Sequence, residues 1–449
     1  MKLRERSVAT MAAICLALCL GAGRGAAQDS APVRLTLADA IHKALAANLN
    51  GLAAQDRIDE AEGSRLRGYA GAMLPRVNAQ AYANVQNRDL RAMGISLPGM
   101  PEVVGPFSNY YVGFSAQQNL IDRASLHTLR AGERVVEEGK LDYRDARDQI
   151  VRLTAALYLN AESAAARVES AQSRVSDSDA LLKLAQDKHD AGTATGVDVL
   201  RAQVQWANDK QALLAAKNQY RQALLGLQRA MGMTPGAPLE LAESLAYRVL
   251  NDMQVDALVQ SALAARADYR SLASQRQSLV EQQLANRARS YPKLSINGSF
   301  GGIGRSVGGL EGTGLLQGQI DFTVFDRDRE GEARQLASRL HALDARMADL
   351  RRGIEEDVRE ALLNLSSAAE EVDVAAQGKQ LAHRELELAQ DRFAQGTANN
   401  VEAITAQDEL ARADENYILA VTGHMDAKYA LARALGDAET KIAEFAASR

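Results

Sequence analysis

The sequence predicts a mostly α-helical chain that also carries membrane β-strands: long antiparallel coiled-coil hairpins plus four strands, drawn from one plan used twice. Three observations predict it. Residues 184–200 read LAQDKHDAGTATGVDVL and residues 388–404 read LAQDRFAQGTANNVEAI, and the match runs without a gap from Leu184–Gly232 to Leu388–Gly436. About one residue in three is identical over that span, and a duplication of this length sets the architecture. Proline is absent and glycine scarce from Ala124 to Asp190 and from Val197 to Met231. Four shorter runs alternate apolar and polar residues.

The chain opens with a basic stretch (Lys2, Arg4, Arg6), a short apolar run from Val8 to Ala22, and the small residues Gly25-Ala26-Ala27. Residues 1–27 therefore read as a secretory signal peptide, too short in its apolar part for a spanning helix of about 20 residues. Cys15 and Cys19 both fall inside it, and neither follows a small residue as a lipoprotein site requires. The mature chain would hold no cysteine, which suits an oxidising compartment without disulfides. Removing four basic residues and one acidic one shifts the formal charge from −5 to −8. An acidic chain of this kind excludes a nucleic-acid partner.

The first repeat spans residues 28–232. Helix begins near Leu37. After Pro75, Val77, Ala79, Ala81, Ala83 and Val85 alternate with Asn78, Gln80, Tyr82, Asn84 and Gln86, which predicts a strand over 75–87. A second strand is expected over 109–121, where Tyr110, Val112, Phe114 and Ala116 alternate with Tyr111, Gly113, Ser115 and Gln117. Each run is about ten residues, the length of a tilted membrane strand. Polar faces rich in Asn, Gln and Ser suit a wet lumen. The insertion NRDLRAMGISLPGMPEVVGPFSN reads as a loop between them. A long helical hairpin follows, its tip at 190–197. Its first helix would reach on the order of 100 Å at ~1.5 Å per residue, a length that is stable only against other helices.

Residues 233–254 read as a linker, and the second repeat, 255–436, restates the plan. Helix resumes near Val255, strands are expected over 292–304 and 315–326, and the second hairpin turns at 394–401. The strand starts LPRV (from Leu74) and YPKL (from Tyr291) correspond, as do Asp122-Arg123 and Asp326-Arg327. Residues 437–449 form a tail.

Four strands do not close a barrel, and an open edge in lipid leaves backbone groups unsatisfied. Other copies must close it: two would supply eight strands and three would supply twelve, and one chain's geometry does not choose. LTLADAIHKALAANL near the mature start, LPRV, YPKL and the two tips, in this order and spacing, resemble the TolC family of outer-membrane channels. The resemblance covers nearly all of the mature chain. It implies a homotrimer with a twelve-stranded barrel in outer-membrane lipid, continued by an α-helical tunnel across the periplasm. It also implies docking to a periplasmic adaptor and an inner-membrane transporter, as the exit duct of a tripartite efflux or type I secretion system. The rival reading is a secreted, non-enzymatic helical rod or adhesin with a small sheet.

By the same resemblance the tips receive the adaptor through Gly192-Thr193 and Gly396-Thr397 and close the entrance. Glycine there suits the left-handed conformation that ends a helix. Asp198 and Glu402 follow the turns, where a carboxylate favours a helix N-terminus and where an acidic ring would gate cations. Some family members lock the entrance through a Tyr and an Arg beside the second glycine. Phe393 and Ala398 occupy those positions here, so closure is expected to rest on Phe393 packing and Asp198 contacts. The copies differ where Thr195-Gly196 faces Asn399-Asn400 and His189 faces Phe393.

No catalytic, cofactor or metal site is expected. The six histidines are scattered, and GGIGRSVGGLEGTG opens no helix as a phosphate loop must. That stretch reads as a flexible surface loop.

Overall fold

The computed structural model describes residues 33–94, 98–99, 101–247 and 254–447. The expected signal peptide lies outside them, as do parts of the linker and of the β2–β3 insertion. In chain order the elements are β1 (Val33–Leu35), α1 (Leu37–Ala47), α2 (Leu49–Met73), β2 (Arg76–Asp89), β3 (Val103–Ile121), α3 (Arg123–Asp190) and α4 (Gly196–Ala230). Then come β4 (Leu239–Leu241), α5 (Val255–Ala265), α6 (Ala267–Ala288), β5 (Lys293–Gly304), β6 (Glu311–Asp321), α7 (Arg327–Ala394), α8 (Asn400–Ala434) and α9 (Ala438–Ala447).

The duplication is carried into three dimensions. Helices α3 and α7 each have 68 residues, and α4 and α8 each have 35. The two Asp-Arg pairs explain where the long helices begin. Asp122 is the N-cap of α3, accepting from the Ser125 N–H at 3.0 Å. Asp326 caps α7 in the same way through the Arg329 N–H at 3.3 Å. Each cap satisfies a donor that the first helical turn leaves free.

Neither long helix stands alone. The first half of α3 packs on α2 and α6, the second half on α4 and α8. Contacts along it are polar and specific: His127 to Glu281 at 2.7 Å, Ser278 Oγ to the Ala131 carbonyl at 3.2 Å, Arg167 to Glu415 at 2.8 Å. Helix α7 is flanked by α6 and then α8. Two shorter helices thus run in succession along each long one, giving four helical columns per chain.

The main apolar core sits partway down these columns. Strand β1 pairs in parallel with β4, so the start of the described chain and the linker meet. Helix α1, started by a Thr36–Asp39 capping box, buries Leu37, Ala40, Ile41 and Ala44 at i, i+3, i+4, i+7 spacing. They join Val151, Tyr158, Leu159, Leu227 and Tyr429 in one cluster. Tyr158 is buried and donates to the Leu35 carbonyl at 3.0 Å. The segment expected as a tail adds α9, which buries Ile442 and Phe445 in this core. Asp148 Oδ1 accepts from the Ala438 N–H at 3.2 Å, and Arg147 pairs with Glu439 at 2.8 Å.

The four long strands form one antiparallel sheet in the order β2-β3-β5-β6. Register sorts them into two faces. Val77–Ala116–Gly298–Leu316 and Ala79–Phe114–Phe300–Gly314 are rows on one face. Arg76–Gln117–Asn297–Gln317 and Asn78–Ser115–Ser299–Leu315 are rows on the other. Phe114, Phe300, Leu316 and Ile320 on the apolar face are exposed, inverting the usual order of a soluble sheet. Among the described residues no helix is long and apolar enough to cross a membrane.

Two expectations from the sequence shift. The β2–β3 ladder continues past a bulge between Gln86 and Arg88 to pair Asp89 with Val103, so part of the supposed loop is strand. Gly105, at φ 133°, lets the chain pass this irregularity close to Gln86 and Asn87. The glycine-rich stretch is also largely strand. Gly301 and Gly302 lie in β5, Gly312 and Gly314 lie in β6, and only residues 305–310 turn between them. Strand β6 accordingly runs Glu311–Asp321 rather than 315–326.

Candidate functional site: the clasped tips

At the first tip α3 ends at Asp190 and Gly192 turns left-handed at φ 74°. The Thr193 and Ala194 N–H groups then donate back to the Lys188 carbonyl at 2.8 and 3.1 Å, satisfying an acceptor of the last turn. Thr193 Oγ1 donates to the same carbonyl at 3.0 Å. Thr195 starts α4. Its N–H donates to Asp198 Oδ2 at 3.0 Å and its Oγ1 accepts from the Asp198 N–H at 3.3 Å, a reciprocal capping box. The Thr195 hydroxyl also donates to Asp198 Oδ2 at 2.7 Å, which holds this carboxyl below the usual carboxylate range. Asp198 therefore serves the helix start of its own tip.

The second tip repeats the backbone with other side chains. Gly396 has φ 76°, and Thr397 donates through N–H and Oγ1 to the Arg392 carbonyl at 3.0 and 3.1 Å. The N-cap is Asn399, whose Oδ1 accepts from the Val401 N–H at 3.2 Å. Glu402 makes no capping box; it pairs with Arg392 at 2.6 Å across the turn. That pair is exposed and contributes about 0–1 kcal/mol.

Phe393 faces inward. It is 4 % exposed and packs with Leu181, Ala185, Ala202, Leu386, Ala389 and Ala403, which come from α3, α4, α7 and α8. Lys188 Nζ lies 5.4 Å from its ring centroid, a cation–π distance. Asn400 is fully buried, and its Nδ2 donates to the Asp198 carbonyl at 2.6 Å. Asp198 and Phe393 thus belong to one tip assembly, joined through Asn400 and the apolar cluster. Gly192, Thr193, Gly396 and Thr397 lie at the exposed turns.

Lys188, Arg392 and Asn400 complete this arrangement; of the three, only Asn400 stands out in the sequence, at a position where the two copies differ. Asn400 had a signal, since it stands opposite Gly196 in the repeat. Lys188 had none, because its partner ring lies on another hairpin. Seven residues beyond Asn400, Gln407 is buried with both amide atoms unpartnered, and Asn400 Oδ1 is unpartnered too. Above the tips a cavity of about 570 Å³ separates α3 from α7, lined by Glu169, Asp177, Lys379, His383, Glu387 and Asp414 among others. Burial pushes the Asp177 carboxyl up. No group of three or more His, Cys, Asp or Glu among the described residues could hold a metal ion.

Comparison with known proteins finds relatives along most of the chain. The sequence model described as "Outer membrane efflux protein" matches residues 40–233 and 258–437, the two repeats. The pyoverdine export outer membrane protein OpmQ of Pseudomonas aeruginosa is 24 % identical over 402 residues, covering 86 % of this chain and 81 % of that one. The outer-membrane channel OprN superposes with a TM-score of 0.76 at 18 % identity, over 89 % of this chain and 90 % of its own. VceC of Vibrio cholerae gives 0.75 at 17 % identity, over 89 % and 96 %. Nothing in these matches supports a helical rod or adhesin. The chain belongs to the outer membrane efflux protein family and is an outer-membrane efflux channel.

Proposed function

We propose that three copies of this chain close one conduit, a twelve-stranded barrel continued by a tube of twelve helical columns, that passively carries cargo out of the periplasm. The sheet is the observation that carries this reading: its exposed apolar face and two open edges, β2 and β6, are untenable in lipid unless other copies pair with them. The helices offer matching seams. Val197, Leu200, Val204 and Leu214 on α4 are exposed, as are Val374, Leu381 and Leu388 at seven-residue spacing on α7. Burying such stripes between copies is the way long helices of this composition are stabilised. No step of this function requires a catalytic residue.

The clasped tips form the periplasmic entrance. The exposed turns Gly192-Thr193 and Gly396-Thr397 receive a periplasmic adaptor that links the duct to an inner-membrane transporter. Phe393 and Asp198 hold the closed form, with Glu402 at the mouth. Small-molecule cargo fits the family description and the pyoverdine-export relative better than protein secretion. The test is the mass of the detergent-solubilised protein by light scattering, together with its conductance in a planar bilayer. A particle of three chains that conducts ions supports the reading. A detergent-free soluble monomer would overturn it.

A further inference from the structure

One row on the polar face of the sheet is largely aromatic and apolar. Register sets Tyr82 beside Tyr111, Tyr111 beside Ile303 and Ile303 beside Glu311, the last row that spans all four strands; beyond it β2 and β3 continue on the same face through Asn84–Asn109 and Gln86–Phe107. The Tyr82 and Tyr111 rings are stacked, with centroids 5.1 Å apart and planes 20° from parallel. Tyr111 is 8 % exposed and Tyr82 is 45 % exposed, so the stack has a covered inner member and an open outer one.

A glycine pair seats it. The next row is Gln80–Gly113–Gly301–Thr313. A Cβ on Gly113 would meet the Tyr111 hydroxyl at 2.6 Å, and one on Gly301 would meet it at 3.0 Å. Tyr111 therefore lies down across two residues that have no side chain. A Cβ at either position would also meet the backbone of the facing strand, the Phe300 carbonyl oxygen at 2.7 Å from Gly113 and the Val112 carbonyl oxygen at 2.5 Å from Gly301, so both the close strand pairing and the seat of Tyr111 need glycine. The two glycines, Gly113 in the strand expected over 109–121 and Gly301 in the stretch expected as a loop, make a platform that fixes an aromatic face against the wall.

We propose that this row is a binding collar for flat organic cations passing through the barrel. The inference rests on the channel reading, which turns the polar face to the lumen. The open face of Tyr82 carries the negative side of a ring quadrupole, which attracts a cation and stacks with a flat apolar body. Glu311, exposed in the same row, supplies the opposite charge. Closure by copies brings the β6 edge, with Glu311, next to the β2 edge, with Tyr82, of the neighbouring chain. Deeper rows present the amides and hydroxyls of Asn78, Ser115, Ser299 and Gln317, with Leu315 and the cation Arg76 at the edge strands, and offer no aromatic face. Because Tyr111 and its glycine seat hold the rings in place beforehand, little ordering is left for the bound state.

The experiment uses the full-length assembly in a planar bilayer, with ethidium as a flat aromatic cation and fluorescein as a flat anion. Ethidium should interrupt the current in resolved events, and fluorescein should not. Tyr82→Leu should shorten the ethidium events roughly fivefold to tenfold, and Tyr82→Phe should leave them within about twofold, since it keeps the ring face. Tyr111→Leu, which removes the covered ring beneath Tyr82, should shorten them as Tyr82→Leu does, and the open-channel current of each variant reports that it has assembled. Equal ethidium event times in the parent and in Tyr82→Leu would overturn the collar alone. No conductance from the parent would overturn the channel reading and the collar with it.

Discussion

The side-chain amide of Asn400, at the start of α8, donates to the backbone carbonyl of Asp198, in the first turn of α4, at 2.6 Å. One tip of the chain is thereby tied to the other through a buried side chain, beside the apolar cluster around Phe393. The bond has no counterpart in the reverse direction, because the residue equivalent to Asn400 in the first tip is Gly196. The two tips share a backbone trace, yet they are clasped asymmetrically.

Removing that bond should loosen the entrance. Asn400→Ala leaves the Asp198 carbonyl without its donor and should destabilise the tip by about 1–2 kcal/mol. Expected in a planar bilayer is a higher resting conductance than the parent, with the same maximal open current. A parent-like resting current would show that the clasp does not restrain the entrance.

The apolar part of the tip should matter more. Phe393→Ala empties a buried site and should cost about 3–5 kcal/mol, whereas Asp198→Ala removes a capping box worth about 1 kcal/mol. Small ions should leak through the double variant. Thermal melting of each single variant gives the ranking, and a larger loss from Asp198→Ala would reverse it.

Gln407 points the other way. Its amide is buried on α8 with neither atom partnered, and an unsatisfied buried polar group costs about 1–3 kcal/mol. Gln407→Leu should therefore raise the melting temperature. A fall would mean that the amide is satisfied in the assembled protein, by ordered water or a neighbouring copy.

Acidification should weaken the fold through His424. Burial, then the nearby Lys428, lowers its pKa from 6.5 to about 4, and its ring sits edge-on to Tyr247 at 4.8 Å. The unfolded chain then binds more protons than the folded one between these values. Its contribution is complete above pH 6.5 and is lost as the pH falls toward 4. Denaturation midpoints at pH 7.5, 5.5 and 4.5 should fall less steeply for His424→Leu than for the parent. Parallel slopes would remove His424 from the pH response.

The seams can be tested without disturbing the monomer's own core. Leu200→Asp and Leu381→Asp place charge on exposed positions of α4 and α7, so helix content by circular dichroism should be unchanged. The mass in detergent should drop to a single chain. Unchanged mass would locate the copy-to-copy contact elsewhere.

Much of this was legible in the residues. Matched repeats, scarce glycine and absent proline implied two long hairpins, and the helices come within a few residues of the expected boundaries. The Thr195-x-x-Asp198 spacing is itself a capping signature, and glycine at 192 and 396 marked both turns. Strand ends were less legible. Pro106 and the glycines at 301, 302, 312 and 314 carry loop propensities, yet they lie in strands because cross-strand pairing overrides local preference.

What the sequence determined by itself was the local and periodic part: the long helices, the cores of the four long strands, the two helical tips, and which face of each of those strands is apolar. These follow from backbone propensity and residue spacing, which act within a few residues. Only the tertiary structure decided that Phe393 is enclosed by four helices, that Asn400 reaches the opposite tip, and that two glycines on different strands make room for one tyrosine. Those relations join residues about two hundred positions apart. They depend on how the columns and strands are brought together in space, which no local pattern records.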